Sequence, residues 1–169
     1  MASSQESQET ALHVAAAVGH VHFVKKLVDK MDEHHLEIQN KIGNTALSFA
    51  AATGNVRIAK YIVTKNPRLP SIRGHQAKSP LCFAALLEQR DMVEYLLGLP
   101  DVWNNFSDQD KTELLNTCII SNLYDAALSI LEAHPRLALA RDPPMNGETR
   151  LDVLARNPSA FAGGNQRGF

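Results

Sequence analysis

Residues 45–63 read TALSFAAATGNVRIAKYIV, and the pattern of this stretch recurs along the chain. Residues 10–28 (TALHVAAAVGHVHFVKKLV), 79–97 (SPLCFAALLEQRDMVEYLL) and 113–131 (ELLNTCIISNLYDAALSIL) repeat its apolar and small positions, and a fifth copy begins at Thr149. The starts, near residues 10, 45, 79, 113 and 149, are 34 to 36 residues apart. A period of this length indicates a solenoid, in which each repeat packs on its neighbours.

Each copy begins with the signals of a helix start. Thr10, Thr45 and Ser79 carry hydroxyls that can accept a hydrogen bond from a free backbone N–H of the first turn. Pro80 then suits the first helical position, where its missing N–H costs nothing. We expect the imidazole of His13 to bond Thr10 and a carbonyl of a neighbouring loop.

A turn and a second helix follow in each copy. Gly19 and Gly54 can adopt the left-handed conformation that ends a first helix, whereas Glu88 takes this position in the third copy, where we expect a differently built turn. Apolar spacing predicts second helices over residues 22–28, 57–63, 92–97 and 123–133, and prolines at 67, 100 and 135 mark their ends.

These residues resemble the ankyrin repeat, whose hallmark is Thr-Pro-Leu-His-x-Ala-Ala, then Gly-His, then an apolar second helix. The resemblance covers about residues 9–157 and implies an all-α solenoid of paired antiparallel helices, with about four repeats and a partial fifth. The fourth copy fits least well, because Glu113 replaces the usual Thr and a start at Thr112 is an alternative. We predict a repeat domain over 9–161, between a disordered polar head (1–8) and a flexible tail (162–169).

Two segments, residues 43–55 and 146–161, look like plant ankyrin-repeat membrane proteins, in which a cytosolic repeat region precedes several membrane spans. The resemblance implies the cytoplasmic domain of a larger membrane protein with a signalling or stress and immune role. Attachment to a membrane would then occur only through a C-terminal region that this sequence lacks. A free cytosolic adaptor or a stoichiometric inhibitor is the alternative.

Composition excludes several classes of function. The net charge is −1 and no Lys/Arg run exceeds two residues, so a nucleic-acid partner is not expected. Seven histidines and two cysteines have no zinc-ligand spacing, and no nucleophile or phosphate-binding motif occurs. We therefore predict no enzyme, cofactor, metal or small-molecule substrate, and a protein as partner. Cys82 and Cys118 are expected to be buried reduced thiols, although a disulfide between them is conceivable.

The family resemblance places partner binding on a concave face formed by the loops and the first helices. The corresponding residues are Lys41, Ile42, Asn44, Thr53, His75, Gln76, Lys78, Leu86 and Leu87. Ile42 could be a binding anchor or could fold over the adjacent loop. Leu86 and Leu87 could form a binding patch or a locally adapted core, and the core is favoured. Trp103 and Phe106 are expected to staple the long connector 98–111 onto neighbouring helices rather than to stand exposed as anchors.

Overall fold

The structure is a computed structural model that describes residues 8–139. The predicted fifth copy, the predicted tail and all but one residue of the predicted head lie outside this range. Within it every regular element is a helix, which confirms the all-α prediction. The chain divides into two compact units, Met1–Asn105 and Phe106–Phe169.

The first unit contains three helix pairs in sequence. The first helices are α1 (Ala11–Val18), α4 (Ala46–Ala52) and α6 (Pro80–Leu86), and the second helices are α2 (Val21–Lys30), α5 (Val56–Lys65) and α7 (Arg90–Leu97). A short helix, α3 (Glu33–Leu36), follows α2, and 3-10 turns occupy Leu69–Ser71, His75–Ala77 and Val102–Asn105. Helix α1 packs on α4 and α4 on α6, while α2 packs on α5 and α5 on α7. The helices predicted from apolar spacing are therefore present, with ends extended by up to two residues.

Small residues bring the first helices close together. The alanine pairs at 15–16, 50–51 and 84–85 are all buried, so the backbones of α1, α4 and α6 can approach without intervening large side chains. The larger side chains of the second helices, such as Ile58, Ile62, Met92 and Leu96, are fully buried and form the core.

Side-chain caps form at two of the three predicted helix starts. The Thr10 hydroxyl accepts from the N–H of His13 at 3.4 Å, and Ser79 Oγ accepts from the N–H of Cys82 at 3.3 Å. The prediction for Thr45 is wrong. The N–H of Ser48 donates to the backbone carbonyl of Thr45 at 3.0 Å, and the Thr45 hydroxyl lies 3.4 Å from the Ser48 hydroxyl instead. The sequence has Ser where the first repeat has His13, so a second hydroxyl is available as partner.

The turns after the first helices share one conformation. Gly19 and Gly54 have φ of 85° and 70°, as predicted, and Glu88 and Asn122 have φ of 58° and 57°. The expectation of a differently built turn at Glu88 is therefore wrong. The same backbone hydrogen bond closes both turns. An N–H donates to the carbonyl five residues earlier, at 2.9 Å in the third repeat and at 3.0 Å in the second. The helix pair imposes this φ on whichever residue stands there.

The second unit contains a longer first helix than the repeat predicts. Helix α8 (Asp108–Ile120) begins after Ser107, whose hydroxyl accepts from the N–H of Asp110, while the Asp110 carboxylate accepts from the N–H of Ser107. The predicted starts at 112 or 113 therefore lie inside a helix, and the connector is shorter than expected. Helix α9 (Tyr124–Ala133) and a 3-10 turn (Pro135–Leu139) complete the described part of this unit.

Burial at equivalent positions depends on the repeat. Ile58 and Met92, each four residues after the left-handed turn residue, are fully buried. Phe23 occupies the same position in the first repeat and is 49% exposed. In the described residues of the first unit, the second and third repeats pack on a preceding repeat and the first does not. Phe23 therefore has no neighbouring repeat to bury it.

Neither cysteine is joined to another, so the conceivable disulfide between Cys82 and Cys118 is not formed. Cys118 is buried as predicted, while Cys82 is only half-buried and its sulfur accepts from the Ser79 hydroxyl at 3.3 Å. Phe106 is buried and Trp103 is half-buried, so neither is a freely exposed aromatic anchor.

Candidate interaction surface

Two loops of the first unit project ahead of the first helices α4 and α6. We call residues 39–44 the first finger and residues 72–78 the second finger. Each is closed by matching backbone bonds: the N–H of Asn40 donates to the carbonyl of Asn44 at 2.9 Å, and that of Gly74 to Lys78 at 2.8 Å. The tips use positive φ at Gly43 (87°) and at Ala77 (57°), and both fingers are therefore defined hairpin-like turns.

Side-chain bonds tie the two fingers to each other. The Asn44 Oδ1 accepts from the N–H of His75 at 2.8 Å, and Gln39 Nε2 donates to the carbonyl of Arg73 at 2.9 Å. A Cβ at Gly74 would clash with Asn44 Oδ1, the atom that accepts from His75, so this bond between the fingers favours glycine there. Asn44 is only 9% exposed, and its prediction as a contact residue is wrong, because its side chain is used to join the fingers.

His13 anchors the base of the first finger, as predicted. Its Nδ1 accepts from the N–H of Thr10 at 3.1 Å, which leaves the proton on Nε2, and Nε2 donates to the carbonyl of Asn44 at 3.0 Å. The ring also meets Phe49 edge-on at 5.8 Å between centroids. This buried imidazole serves the scaffold, since all of its polar atoms are bonded within it.

Two leucines at the end of α6 are exposed. Leu86 is 45% exposed and Leu87 is 51% exposed, so the favoured interpretation as a locally adapted core is wrong. Thr53 takes the position of Leu87 in the preceding repeat and is also exposed. A seven-residue helix rises about 10 Å, so these positions lie about that far from the fingers that precede α4 and α6.

The finger tips are exposed to solvent. Ile42 is 54% exposed, so it does not fold away over the adjacent loop, and Lys41, His75 and Gln76 are exposed beside it. Lys78 is half-buried at the base of the second finger. We define the finger surface as the exposed residues Lys41, Ile42, Thr53, His75, Gln76, Leu86 and Leu87.

The predicted set missed a row on the first helices. Val14, Phe49 and Phe83 occupy the same repeat position; Val14 is exposed and the two phenylalanines are half-buried. They lie between the fingers and the helix ends, and they extend the apolar part of the finger surface. The repeat pattern could have revealed these residues, because each of them directly follows the repeat position of His13, Ser48 or Cys82.

A separate open groove of about 520 Å³ lies among the segments that follow the second helices. It is lined by Glu37, Pro67, Arg68, Ser71, Ile72, Asp101 and Asn105. The hydrogen bond from Asn66 Nδ2 (2.9 Å), and then the nearby Arg68 guanidinium (3.0 Å), hold the pKa of Glu37 below its usual range. None of the predicted contact residues lines this groove, and its charged side chains are already paired.

Within the described residues, neither a metal-ligand group nor a displaced pKa marks the finger surface. Residues 8–139 contain no group of three His, Cys, Asp or Glu side chains that could hold a metal ion. Displaced pKa values occur at Glu37, at Tyr95 (raised by burial) and at His134 (lowered chiefly by burial), none of them on the finger surface. Over the same residues no helix is long and apolar enough to span a bilayer.

Comparison with known proteins agrees with this architecture. Residues 2–72 match the family model described as ankyrin repeats (3 copies), and no curated protein matches the chain significantly. The chain is similar to a chain of the solved complex between the predatory endopeptidase Bd0816 from Bdellovibrio bacteriovorus and the immunity protein Bd3460. That match has 29% identity and a TM-score of 0.70, and covers 88% of this chain and 75% of that chain.

The helix pairs, the family match and the similar structure together support the predicted all-α ankyrin-repeat solenoid, and the predicted number of repeats stays a prediction. Repeat scaffolds of this class present an extended surface to other proteins. The chain is therefore a protein-interaction module.

Proposed function

We propose that the protein is a non-catalytic binding module that engages another protein through the finger surface. The observation that carries the proposal is the exposure of Ile42, Leu86 and Leu87 on one side of the repeats, with the half-buried Phe49 and Phe83 between them. Clustered apolar side chains at the surface are typical of interaction sites, whereas scattered single ones need no explanation.

The scaffold is suited to binding because the fingers are held in place before a partner arrives. Asn44 and Gln39 join the two fingers, and Arg73 Nη2 donates to the carbonyl of Asn105 at 2.8 Å, which fixes the second finger from its other side. Loops that are already ordered lose little conformational entropy on association, so more of the contact energy remains as affinity.

Interface variants test the surface against a matched control. Partners would be captured with the 169-residue chain, and the dissociation constant of each would be measured by calorimetry for wild type, Leu86→Glu/Leu87→Glu and Phe23→Glu. Placing carboxylates in a buried contact is expected to weaken binding by about 30-fold or more. Phe23→Glu changes a similarly exposed apolar residue on α2 and should leave affinity unchanged. Equal affinity of all three proteins would remove the finger surface from consideration.

A stoichiometric inhibitor is the second candidate. It is supported by the similarity to a chain of a complex in which an immunity protein accompanies an endopeptidase. If the captured partner is an enzyme, we expect its activity to fall to near zero at a one-to-one ratio, and the Leu86→Glu/Leu87→Glu protein to leave it active. An enzyme that stays fully active in a saturated complex would support the adaptor alternative instead.

The cytosolic domain of a plant membrane protein remains a hypothesis that rests on sequence resemblance. It is tested by the coding sequence downstream of Phe169, where several apolar segments of about 20 residues each are expected. A stop codon immediately after Phe169 would contradict it, and the search for partners would then move from the inner membrane face to the soluble fraction.

A further inference from the structure

The charges of this chain are unevenly distributed. Residues 38–87, which include both fingers, contain seven of the 17 Lys and Arg residues and none of the 18 Asp and Glu residues. The rest of the chain holds ten basic and all 18 acidic residues, so a net charge near zero conceals a basic middle. A local field of one sign attracts a partner surface of the opposite sign, whatever the net charge of the molecule.

The fingers concentrate part of this charge on the binding side. Lys41 is exposed at the tip of the first finger, and Arg73 and Lys78 lie in the second finger, whose tip also exposes the polar side chain of His75. The other four cations of the segment belong elsewhere. Lys60 lies 5.6 Å from the ring centre of Tyr95, Arg68 pairs with Glu37 at 3.0 Å, and Arg57 and Lys65 lie at the two ends of α5.

The helical part of the finger surface is uncharged. None of the first helices α1, α4 and α6 contains a charged residue in its sequence. Charges of both signs return at the far side, where Arg57, Glu88 and Asp91 surround the turns and the starts of the second helices. The surface is therefore basic along the fingers, apolar in the middle and mixed at the turns.

From this layout, and resting on the proposed function, we infer that the finger surface binds an acidic amphipathic segment of a protein. Carboxylates of that segment pair with Lys41 and with the cations of the second finger. Its apolar side chains contact Leu86 and Leu87, which lie about 10 Å from the fingers along the helices. A nucleic acid fits the layout less well, because its phosphates would lie against the uncharged helices α4 and α6 rather than against a continuous row of cations.

A peptide-display selection tests the composition of the partner directly. A random library of about 12-residue peptides, long enough to cross the strip of about 10 Å, would be selected on the 169-residue chain. We expect the enriched peptides to gain Asp and Glu beside Leu, Ile or Phe, and to lose Lys and Arg. Enrichment without an acidic bias, or tighter binding of a single-stranded oligonucleotide than of any selected peptide, would overturn the inference.

Charge variants then locate the contact. For the best selected peptide, Lys41→Glu/His75→Glu should raise Kd by about tenfold at low salt and by much less near 1 M salt, where the Debye length is about 3 Å. Lys26→Glu replaces an exposed lysine of α2 and should change Kd less than twofold, since it lies outside the finger surface. Equal effects of the two changes would mean that only the net charge matters, and would reject the site.

The outcomes separate this inference from the proposed function. If Leu86→Glu/Leu87→Glu abolishes binding of a natural partner while Lys41→Glu/His75→Glu has no effect, the finger surface is supported as the binding site. Its proposed preference for acidic segments is then rejected. If neither pair of changes affects binding, both the binding site and its preference for acidic segments are rejected. Circular dichroism and the melting temperature of each variant show whether a loss of binding reflects loss of the fold.

Discussion

Replacing Glu88 by glycine should make the protein more stable. Glu88 is exposed and has φ of 58°, in the left-handed region where the Cβ of an L-residue lies too close to the following carbonyl oxygen. The equivalent residues of the first two repeats are Gly19 and Gly54. The third repeat therefore carries a strain that the first two avoid.

The magnitude follows from two opposing effects. Relief of the left-handed conformation contributes about 1–2 kcal/mol. Glycine has more conformational freedom in the unfolded chain, and this entropy lowers the free energy of unfolding by about 0.5–1 kcal/mol. At mid-range the net gain is about 0.75 kcal/mol, which corresponds to a rise in melting temperature of about 1.5–3 °C for a chain of this length.

The assay is thermal and urea unfolding of wild type, Glu88→Gly and Glu88→Ala, followed by circular dichroism. Glu88→Ala removes the same charge and side chain but keeps the Cβ, so it should not give the gain. The reverse change, Gly54→Ala, should lower stability, because φ is 70° there and a Cβ would meet the Gln89 side chain. If Glu88→Ala stabilises as much as Glu88→Gly, charge rather than backbone strain is responsible, and the reasoning is refuted.

Three further outcomes are expected. Ile58→Ala should lower the free energy of unfolding by about 2–4 kcal/mol and Phe23→Ala by less than half as much, since only Ile58 is fully buried at this shared repeat position; equal losses in urea titrations would contradict this. His13→Ala should lower stability by about 2–3 kcal/mol and should speed amide exchange in the first finger, because the carbonyl of Asn44 loses its donor; unchanged exchange would argue against the anchor. Burial, then the charge of Lys111, lowers the pKa of His134 below 6.5, so the unfolded chain takes up this proton first and stability should fall as pH drops below about 6.5. His134→Gln should flatten that part of the stability–pH curve, and an identical curve for both proteins would contradict the assignment.

Most of the fold could be predicted from the sequence, because the same helix starts, turns and apolar spacings recur in several repeats. Helix starts at Thr10 and Ser79, the left-handed turns at Gly19 and Gly54 and the second helices all depend on residues within a few positions of each other. Caps and turn residues act over one turn of helix, so a sequence pattern captures them.

Contacts at longer range explain where the predictions were wrong. Asn44 resembles an accessible finger residue, yet its amide oxygen accepts from the N–H of His75, 31 residues later. Leu86 and Leu87 resemble core residues, yet the helix turns them outward. In both cases the outcome depends on which neighbour lies beside the residue, and no local pattern contains that information.

The sequence by itself determined the repeat, its period, the all-α class and the absence of acidic residues from positions 38–87. These properties are written in residue types and spacings, and they need no knowledge of which elements meet. Only the tertiary structure decided which members of each repeat are exposed, as the contrast between Phe23 and Ile58 shows. Burial depends on the packing of a neighbouring repeat against each side chain, so identical repeat positions acquire different environments.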